Sequence, residues 1–285
     1  MINETYKTFI EKNLDETVKE SQLLTETYPS RIYQVSGKRQ YVLKETRWTA
    51  LNHQFANHKK IFKAWFVHRD TLTFRIPEPF LLGPEGKFVL MEYVNGDNLL
   101  NLLLKKNDNV IDLFRRAGQA LRQYHDMAKD SFADSAMDLK SCDSIREIIA
   151  SSKGAAIEKA LNSIPQDRFG VIYKDFTPSN IVIDRQGAMY FLDIQDDFYR
   201  APLAYDWARF IDTTKVFSIV RKPSMIFSFG LVKRAVDAFL EGYGGVADEH
   251  FRSIQFVHRT EHVHIKITKT RMRGIILKLL YLIVS

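Results

Sequence analysis

The feature that most constrains this chain is a polar loop followed directly by a hairpin, within residues 173–195. Asp175 is followed five positions later by Asn180, and Asp193 comes thirteen positions after Asn180. Between the last two, short runs of β-forming residues flank Gly187, a pattern that predicts two antiparallel strands joined by a tight turn. Because such a hairpin returns the chain to where it began, we expect Asp193 to lie close to Asn180.

Two carboxylates and an amide brought to one place meet the needs of phosphoryl transfer from a nucleotide. That reaction needs a carboxylate to accept the proton of the attacking hydroxyl, and hard oxygen ligands to hold Mg²⁺ against the phosphates. We therefore predict that Asp175 is the catalytic base and that Asn180 and Asp193 are magnesium ligands. The same Asp-to-Asn spacing also occurs in turns and helix caps, so this prediction depends on the rest of the chain.

The rest of the chain divides into a β-rich first third and a mostly helical remainder. The patterns predict a hairpin with strands at 31–36 and 40–44, a helix at 49–67 and a strand at 88–94. Three helical stretches are predicted after them, at 99–104, 110–127 and 144–164. We expect an α+β fold with a small N-lobe, residues 1–94, and a larger helical C-lobe, residues 95–285.

This order of elements, together with the block 172–195, resembles the protein-kinase-like phosphotransferases. The resemblance is to bacterial aminoglycoside and choline kinase-type enzymes and to lipopolysaccharide-core sugar kinases, and it covers residues 28–212. It implies a bilobal protein-kinase-like fold that uses ATP and Mg²⁺.

The resemblance also implies nucleotide-binding positions. Lys44 ends the second strand of the first hairpin, where the family has its phosphate-binding lysine. Glu92, Tyr93 and Val94 are similar to the hinge that receives the adenine through main-chain hydrogen bonds. Asp206 matches the aspartate that braces the catalytic loop in the family.

The chain departs from the family pattern in three places. Tyr173 stands where the family usually has a histidine, whose role there is generally architectural. Gln54 takes the place of the helix glutamate, so we expect it to hydrogen-bond Lys44 without supplying a charge. No glycine-rich loop precedes the first hairpin, and Ser30 is the candidate phosphate contact in its stead.

The distribution of charge bears on the acceptor. Residues 250–285 contain seven Lys or Arg against a single acid, Glu261, so this segment carries +6 of the formal net charge of +7. Basic residues in the lobe that normally builds the acceptor site favour an anionic acceptor over a cationic one. Together with the resemblance to the lipopolysaccharide-core enzymes, this predicts a sugar kinase that acts on a membrane-associated glycan.

The end of the chain and the cysteine content bear on location and partners. Apolar residues recur at helical spacing within 275–283, which is typical either of a helix in a membrane interface or of a last core helix. A single cysteine, Cys142, and an N-terminus unlike a signal peptide lead us to expect a cytoplasmic protein, with peripheral contact at the inner face of the membrane. No recognition motif accompanies the basic run, so nucleic acid is not an expected partner.

Three other functions stay open at this point. Two are kinases with a different acceptor, namely a soluble small-molecule kinase and a protein kinase. The third is a pseudokinase that binds nucleotide or a partner without transfer, and Gln54 in place of an acidic residue favours it.

Overall fold

The computed structural model describes residues 1–27, 30–46, 51–194, 197–245, 249–269 and Tyr281. Within these residues the N-terminal part is rich in β-structure and the C-terminal part is helical, as predicted. No helix in the described ranges is long and apolar enough to cross a membrane. The apolar run within 275–283 lies outside the described residues, apart from Tyr281, which is buried.

The N-terminal part is built on a five-stranded antiparallel sheet in the order β1-β2-β3-β6-β5. Its elements are α1 (Glu4–Leu14), β1 (Glu20–Thr27), β2 (Ser30–Ser36), β3 (Gln40–Thr46), α2 (Asn52–His68), β4 (Phe74–Arg75), β5 (Pro79–Leu82) and β6 (Phe88–Glu92). Alternate residues of the central strands face a small core with Ile10 of α1, among them Val35, Leu43 and Leu90. This period-2 burial explains why the apolar alternation in the sequence identified β2 and β3 correctly.

The C-terminal part holds two short sheets and seven further helices among the described residues. Its strands are β7 (Gly96–Asn98), β8 (Met137–Asp138), β9 (Phe169–Ile172), β10 (Ile181–Asp184), β11 (Met189–Phe191) and β12 (Tyr199–Pro202). Its helices are α3 (Leu99–Leu104), α4 (Val110–Phe132), α5 (Asp143–Ile149), α6 (Gly154–Asn162), α7 (Ala204–Arg221), α8 (Phe229–Tyr243) and α9 (Glu249–Lys269). One short sheet has the order β4-β11-β10-β7, so β4 pairs in parallel with the hairpin strand β11.

Helices α4 and α8 form the central pair of the helical part, and two glycines set how closely they approach. A Cβ on Gly118 of α4 would lie 2.0 Å from the carbonyl oxygen of Phe239. On α8, a Cβ on Gly242 would lie 2.0 Å from the carbonyl oxygen of Arg115. The two backbones therefore touch directly, which a larger residue at either position would prevent.

One sequence prediction about the helices is wrong. The stretch 144–164 is not continuous, because α5 ends at Ile149 and α6 begins at Gly154. Between them the chain turns so tightly that a Cβ on Gly154 would lie 1.8 Å from the carbonyl oxygen of Ile149. The apolar periodicity continues through the turn because Ile148 and Ile157 enter the same core, and this hides the break from a pattern search.

Candidate active site

A cleft of about 460 Å³ lies between the five-stranded sheet and the β10–β11 hairpin. It brings together every predicted site residue except Asp175. These residues are Ser30, Lys44, Gln54, Glu92, Tyr93, Val94, Asn180 and Asp193. Its remaining walls are mainly apolar, with Ile32, Val42 and Leu192 among them, as is usual for a small-molecule site.

The hairpin places Asp193 beside Asn180, as the sequence predicts. β10 and β11 pair with Ile181 opposite Phe191, and the next rung is a hydrogen bond of 2.8 Å from the Leu192 N–H to the Asn180 carbonyl. Asp193 follows at once and adopts a left-handed backbone with φ of 60°. Non-glycine residues in this region are uncommon and cluster at functional sites.

Lys44 reaches Asp193 from the opposite wall of the cleft. Its Nζ lies 2.6 Å from Asp193 Oδ1, in an ion pair whose lysine side chain is 17% exposed. Gln54 of α2 approaches the same carboxylate oxygen but makes no hydrogen bond to Lys44. Its amide nitrogen donates to the Ile194 carbonyl at 2.7 Å and lies 3.4 Å from Asp193 Oδ1. The acid that meets Lys44 is thus Asp193 itself, and Gln54 supports the backbone that follows Asp193.

Asp175 lies just outside the cleft lining, joined to it through Asn180. The Asn180 amide nitrogen donates to Asp175 Oδ2 at 3.2 Å and to the Asp175 carbonyl at 3.0 Å. Arg209 of α7 donates to the other carboxylate oxygen, Oδ1, from Nε at 3.1 Å and also from Nη2. Burial alone would raise the pKa of the Asp175 carboxyl, but Arg209 and Asn180 outweigh burial and hold the pKa below its ordinary value.

Asp206 fixes the turn that presents Asp175. Its two buried carboxylate oxygens accept the backbone N–H groups of Tyr173 at 2.6 Å and Lys174 at 2.8 Å. Lys174 has a φ of 70°, and the Asp175 N–H closes a three-residue turn onto the Tyr173 carbonyl at 3.0 Å. Such a turn is strained, so its persistence requires outside support, and Asp206 supplies it.

Aromatic packing holds the same loop on the other side. Phe176, immediately after Asp175, is buried against the rings of Phe191, Phe210 and Phe239. Tyr173 is also buried, and its hydroxyl donates to the Leu192 carbonyl at 2.6 Å. It therefore ties the loop 173–176 to the hairpin one residue before Asp193.

The predicted hinge lies at the end of β6 and lines the cleft. The Tyr93 N–H already donates to the Gln40 carbonyl at 3.3 Å. The Glu92 carboxylate accepts the Glu78 N–H at 3.1 Å, and burial raises the pKa of Glu92. Because Glu92 is held by its own chain, we expect the main chain of this segment to be the part that contacts a ligand.

The residues at one end of the cleft have the donor chemistry that suits Mg²⁺. The amide nitrogen of Asn180 donates to Asp175. Because the nitrogen and oxygen of a side-chain amide point in different directions, the Asn180 oxygen is turned away from that carboxylate. Asp193 provides a carboxylate in the same cleft. Two hard oxygen ligands with room for water and phosphate fit Mg²⁺ better than a metal that needs a closed protein cage. In the described ranges, no group of three or more His, Cys, Asp or Glu side chains could form such a cage.

Arg209 is the site residue that the sequence analysis did not single out. It follows Asp206 by three positions, and residues with this spacing share one face of a helix. Asp206 and Arg209 therefore both point from α7 toward the loop 173–175. The spacing of three residues could have shown that Arg209 lies on the same helix face as Asp206, but it does not reveal which loop that face contacts.

The fold and the cleft place this protein in the structural class of the two-lobed, kinase-like phosphotransferases. The sequence pattern of the phosphotransferase enzyme family known as APH matches residues 22–256, and the chain belongs to that family. It is therefore an enzyme of the phosphotransferase class. No match to this chain was found among curated proteins.

Solved structures with the same fold share little sequence with this chain. An aminoglycoside 2′-phosphotransferase-IIIa in complex with GDP is 13% identical with a TM-score of 0.61, over 97% of each chain. A macrolide 2′-phosphotransferase from Brachybacterium faecium is 11% identical with a TM-score of 0.60, over 95% of this chain and 97% of its own. The ternary complex of APH(2″)-IIa with streptomycin and ATP is 14% identical with a TM-score of 0.55, over 94% of this chain and 89% of its own. At these identities the similarity shows the fold.

Proposed function

We propose that this protein transfers the γ-phosphoryl group of ATP, with Mg²⁺, to a hydroxyl of a sugar. The observation that carries the proposal is the single cleft that gathers Lys44, Asn180 and Asp193, with Asp175 hydrogen-bonded to Asn180 at its edge. Two of the three solved structures described above hold a nucleotide, and one of these also holds the sugar-containing antibiotic streptomycin, which supports the same class of substrates here.

Each residue has a distinct task in this proposal. Asp175 accepts a hydrogen bond from the acceptor hydroxyl and takes its proton, and Lys44 contacts the phosphates. Asn180 and Asp193 would hold Mg²⁺, which when bound neutralises charge on the phosphates. The hinge 92–94 receives the base, and the apolar walls exclude water from it.

Nucleotide binding can be tested by thermal unfolding with ATP, in the presence and absence of Mg²⁺. A ligand that binds only the native state raises the melting temperature by mass action. We expect a Mg²⁺-dependent rise in wild type that is lost in Asp193→Ala and retained in Asp130→Ala, an exposed aspartate of α4. A well-folded protein that shows no shift with ATP or GTP would contradict the proposal and favour a scaffold that does not use nucleotide.

For the acceptor, we propose an anionic, membrane-associated glycan of the lipopolysaccharide-core type. The support is the excess of basic residues in 250–285. Tyr281 of this segment is buried, with its hydroxyl 2.6 Å from His262 Nδ1, so deleting the end of the chain would remove a core contact as well as charge. A sharper test replaces Arg271 and Arg273 with glutamine, outside the described residues, and keeps Tyr281.

We expect the double glutamine variant to unfold like wild type and to bind less to vesicles containing phosphatidylglycerol, while binding to pure phosphatidylcholine vesicles is weak for both. Equal binding of wild type and variant to the anionic vesicles would contradict membrane docking through these charges. In that case an acceptor screen with soluble aminoglycosides, choline and protein substrates becomes the deciding measurement.

A further inference from the structure

We infer that Arg209 is the positioning residue for the catalytic carboxylate, and that His258 of α9 holds Arg209 in place. The inference rests on the proposed role of Asp175 as base. It assigns supporting roles in the reaction to Arg209 of α7 and His258 of α9, and neither side chain lines the nucleotide cleft.

The first step is the contact between Arg209 and Asp175. Nε and Nη2 of Arg209 both donate to Oδ1, while Asn180 donates to Oδ2. The Arg209 and Asp175 side chains are 20% and 25% exposed, so the ion pair is largely shielded from water but still open on one side. Arg209 thereby fixes the rotation of the carboxylate and balances its charge, and Oδ2 keeps a lone pair for an acceptor hydroxyl.

The second step is the support behind Arg209. Its remaining nitrogen, Nη1, lies 3.4 Å from Nε2 of His258, whose ring is fully buried. The other ring nitrogen, Nδ1, lies 3.2 Å from Asp212 Oδ2. Asp212 can only accept, so Nδ1 carries the proton and Nε2 is left to accept from Arg209. Burial lowers the pKa of His258, in keeping with the neutral ring that this arrangement requires.

The third step is the anchoring of Asp212 itself. Its carboxylate also accepts Gln255 Nε2 at 2.8 Å and Arg259 Nε and Nη2 at 3.0 and 2.9 Å. Asp212 is fully buried, and the three groups from α9 keep it fixed. A continuous series of hydrogen bonds therefore runs from α9 through Asp212, His258 and Arg209 to Asp175.

The contact between Arg209 and Asp175 can be tested without any assay of activity, by ¹H–¹⁵N NMR of arginine Nε groups. The signal of Arg209 is assigned by its loss in Arg209→Lys. We expect it to move in Asp175→Asn, which removes the charge it faces, and to stay in place in Asp193→Asn, which it does not touch. An Arg209 signal unmoved by Asp175→Asn would overturn the inference, whether or not the protein proves to use nucleotide.

The effect on turnover is measured as phosphate release from Mg²⁺-ATP, with water as acceptor. Misplacing a general base removes a contribution of about 10²–10⁴-fold, so we expect kcat to fall about 10²-fold in Arg209→Lys and further in Arg209→Met. KM for ATP should stay within about twofold of wild type, because Arg209 is outside the cleft. His258→Phe keeps the ring shape but not the acceptor, and should lower kcat by about tenfold at unchanged KM.

The matched control is Arg115→Met on α4. Arg115 also pairs with a carboxylate of another helix, with Nη2 3.2 Å from Glu241 Oε2 of α8, and its side chain is 36% exposed, but it contacts neither Asp175 nor the residues behind Arg209. We expect this variant to keep kcat nearly unchanged. Equal losses of kcat in Arg209→Met and Arg115→Met would mean that Arg209 is only a structural residue, and a rise in KM with kcat retained would make it a nucleotide contact. A wild type that neither shifts with ATP nor releases phosphate fails the proposed function, and the NMR result then decides the inference alone.

Discussion

Asp206 offers the strongest test of how the loop 173–176 is held. Its side chain has no exposed surface and accepts three hydrogen bonds, from the N–H groups of Tyr173 and Lys174 and from His125 Nε2 at 2.9 Å. Substitution with alanine leaves all three donors without their acceptor. Substitution with asparagine leaves at least one donor facing an NH₂ group, because only one amide atom can accept.

The expected cost follows from the number of donors. A buried hydrogen bond to a charged group contributes about 1.5–3 kcal/mol, so we expect a loss of about 1.5–3 kcal/mol for each donor left unpaired in Asp206→Asn and of about 4.5 kcal/mol or more in Asp206→Ala. At about 2–3 °C per kcal/mol for a chain of this size, the alanine variant should melt about 10 °C or more below wild type.

Urea denaturation at pH 7 measures these losses, with Tyr243→Phe as the graded control. The Tyr243 hydroxyl lies 2.9 Å from His125 Nδ1, at the far end of the same set of hydrogen bonds. Its removal should cost only about 1 kcal/mol, since His125 keeps its bond to Asp206. An Asp206→Asn variant within 1 kcal/mol of wild type would refute the reasoning, because the loop would then not depend on this carboxylate.

Two further predictions concern stability away from the loop. Burial lowers the pKa of His58 from 6.5 to about 4, and its Nε2 lies 2.8 Å from the Pro77 carbonyl. Between pH 6.5 and pH 4 the unfolded chain therefore binds a proton that the folded chain does not. As the pH is lowered through this range, the free energy of unfolding should decrease by an amount on the order of 3 kcal/mol. His58→Gln should remove this pH-dependent decrease, which urea titrations at pH 7 and 4.5 would measure. Gly118→Ala should destabilise by about 1–3 kcal/mol or more because its Cβ meets the Phe239 carbonyl. Gly230→Ala on α8, where a Cβ meets nothing within 4 Å, should be neutral or stabilise by about 0.5–1 kcal/mol, and equal melting temperatures for the two variants would contradict the close helix contact.

The parts of the site that the sequence predicted are those set by short-range geometry. The residues between Asn180 and Asp193 form a hairpin, and the geometry of a tight hairpin brings the end of its second strand back beside the start of its first. Lys44 lies on β3, whose apolar alternation is clear in the sequence, and Asp206 was identified from the family resemblance. The structure brings all four into one neighbourhood, in keeping with the predicted arrangement.

The contacts that escaped prediction join residues far apart in the chain. Gln54 binds the backbone after Asp193 rather than Lys44, since its reach depends on how α2 sits against the hairpin. The basic residues of α9 were interpreted from the sequence only as favouring an anionic acceptor, yet His258 on the same helix is buried and contacts Asp212. Long-range pairing of buried charges leaves no periodic signal, so neither contact could be read from the chain alone.

The ion pair between Lys44 and Asp193 has a consequence for how a ligand enters the cleft. On the proposed roles, the cation that contacts the phosphates and the carboxylate that holds the metal form an ion pair with each other. Entry of a nucleotide with its metal is then an exchange of partners, in which each side chain leaves the other for a ligand of opposite charge. The measured affinity is accordingly a difference between two sets of ionic contacts. Since the pair joins β3 to the end of the β10–β11 hairpin, that exchange also releases a direct link between the two walls of the cleft.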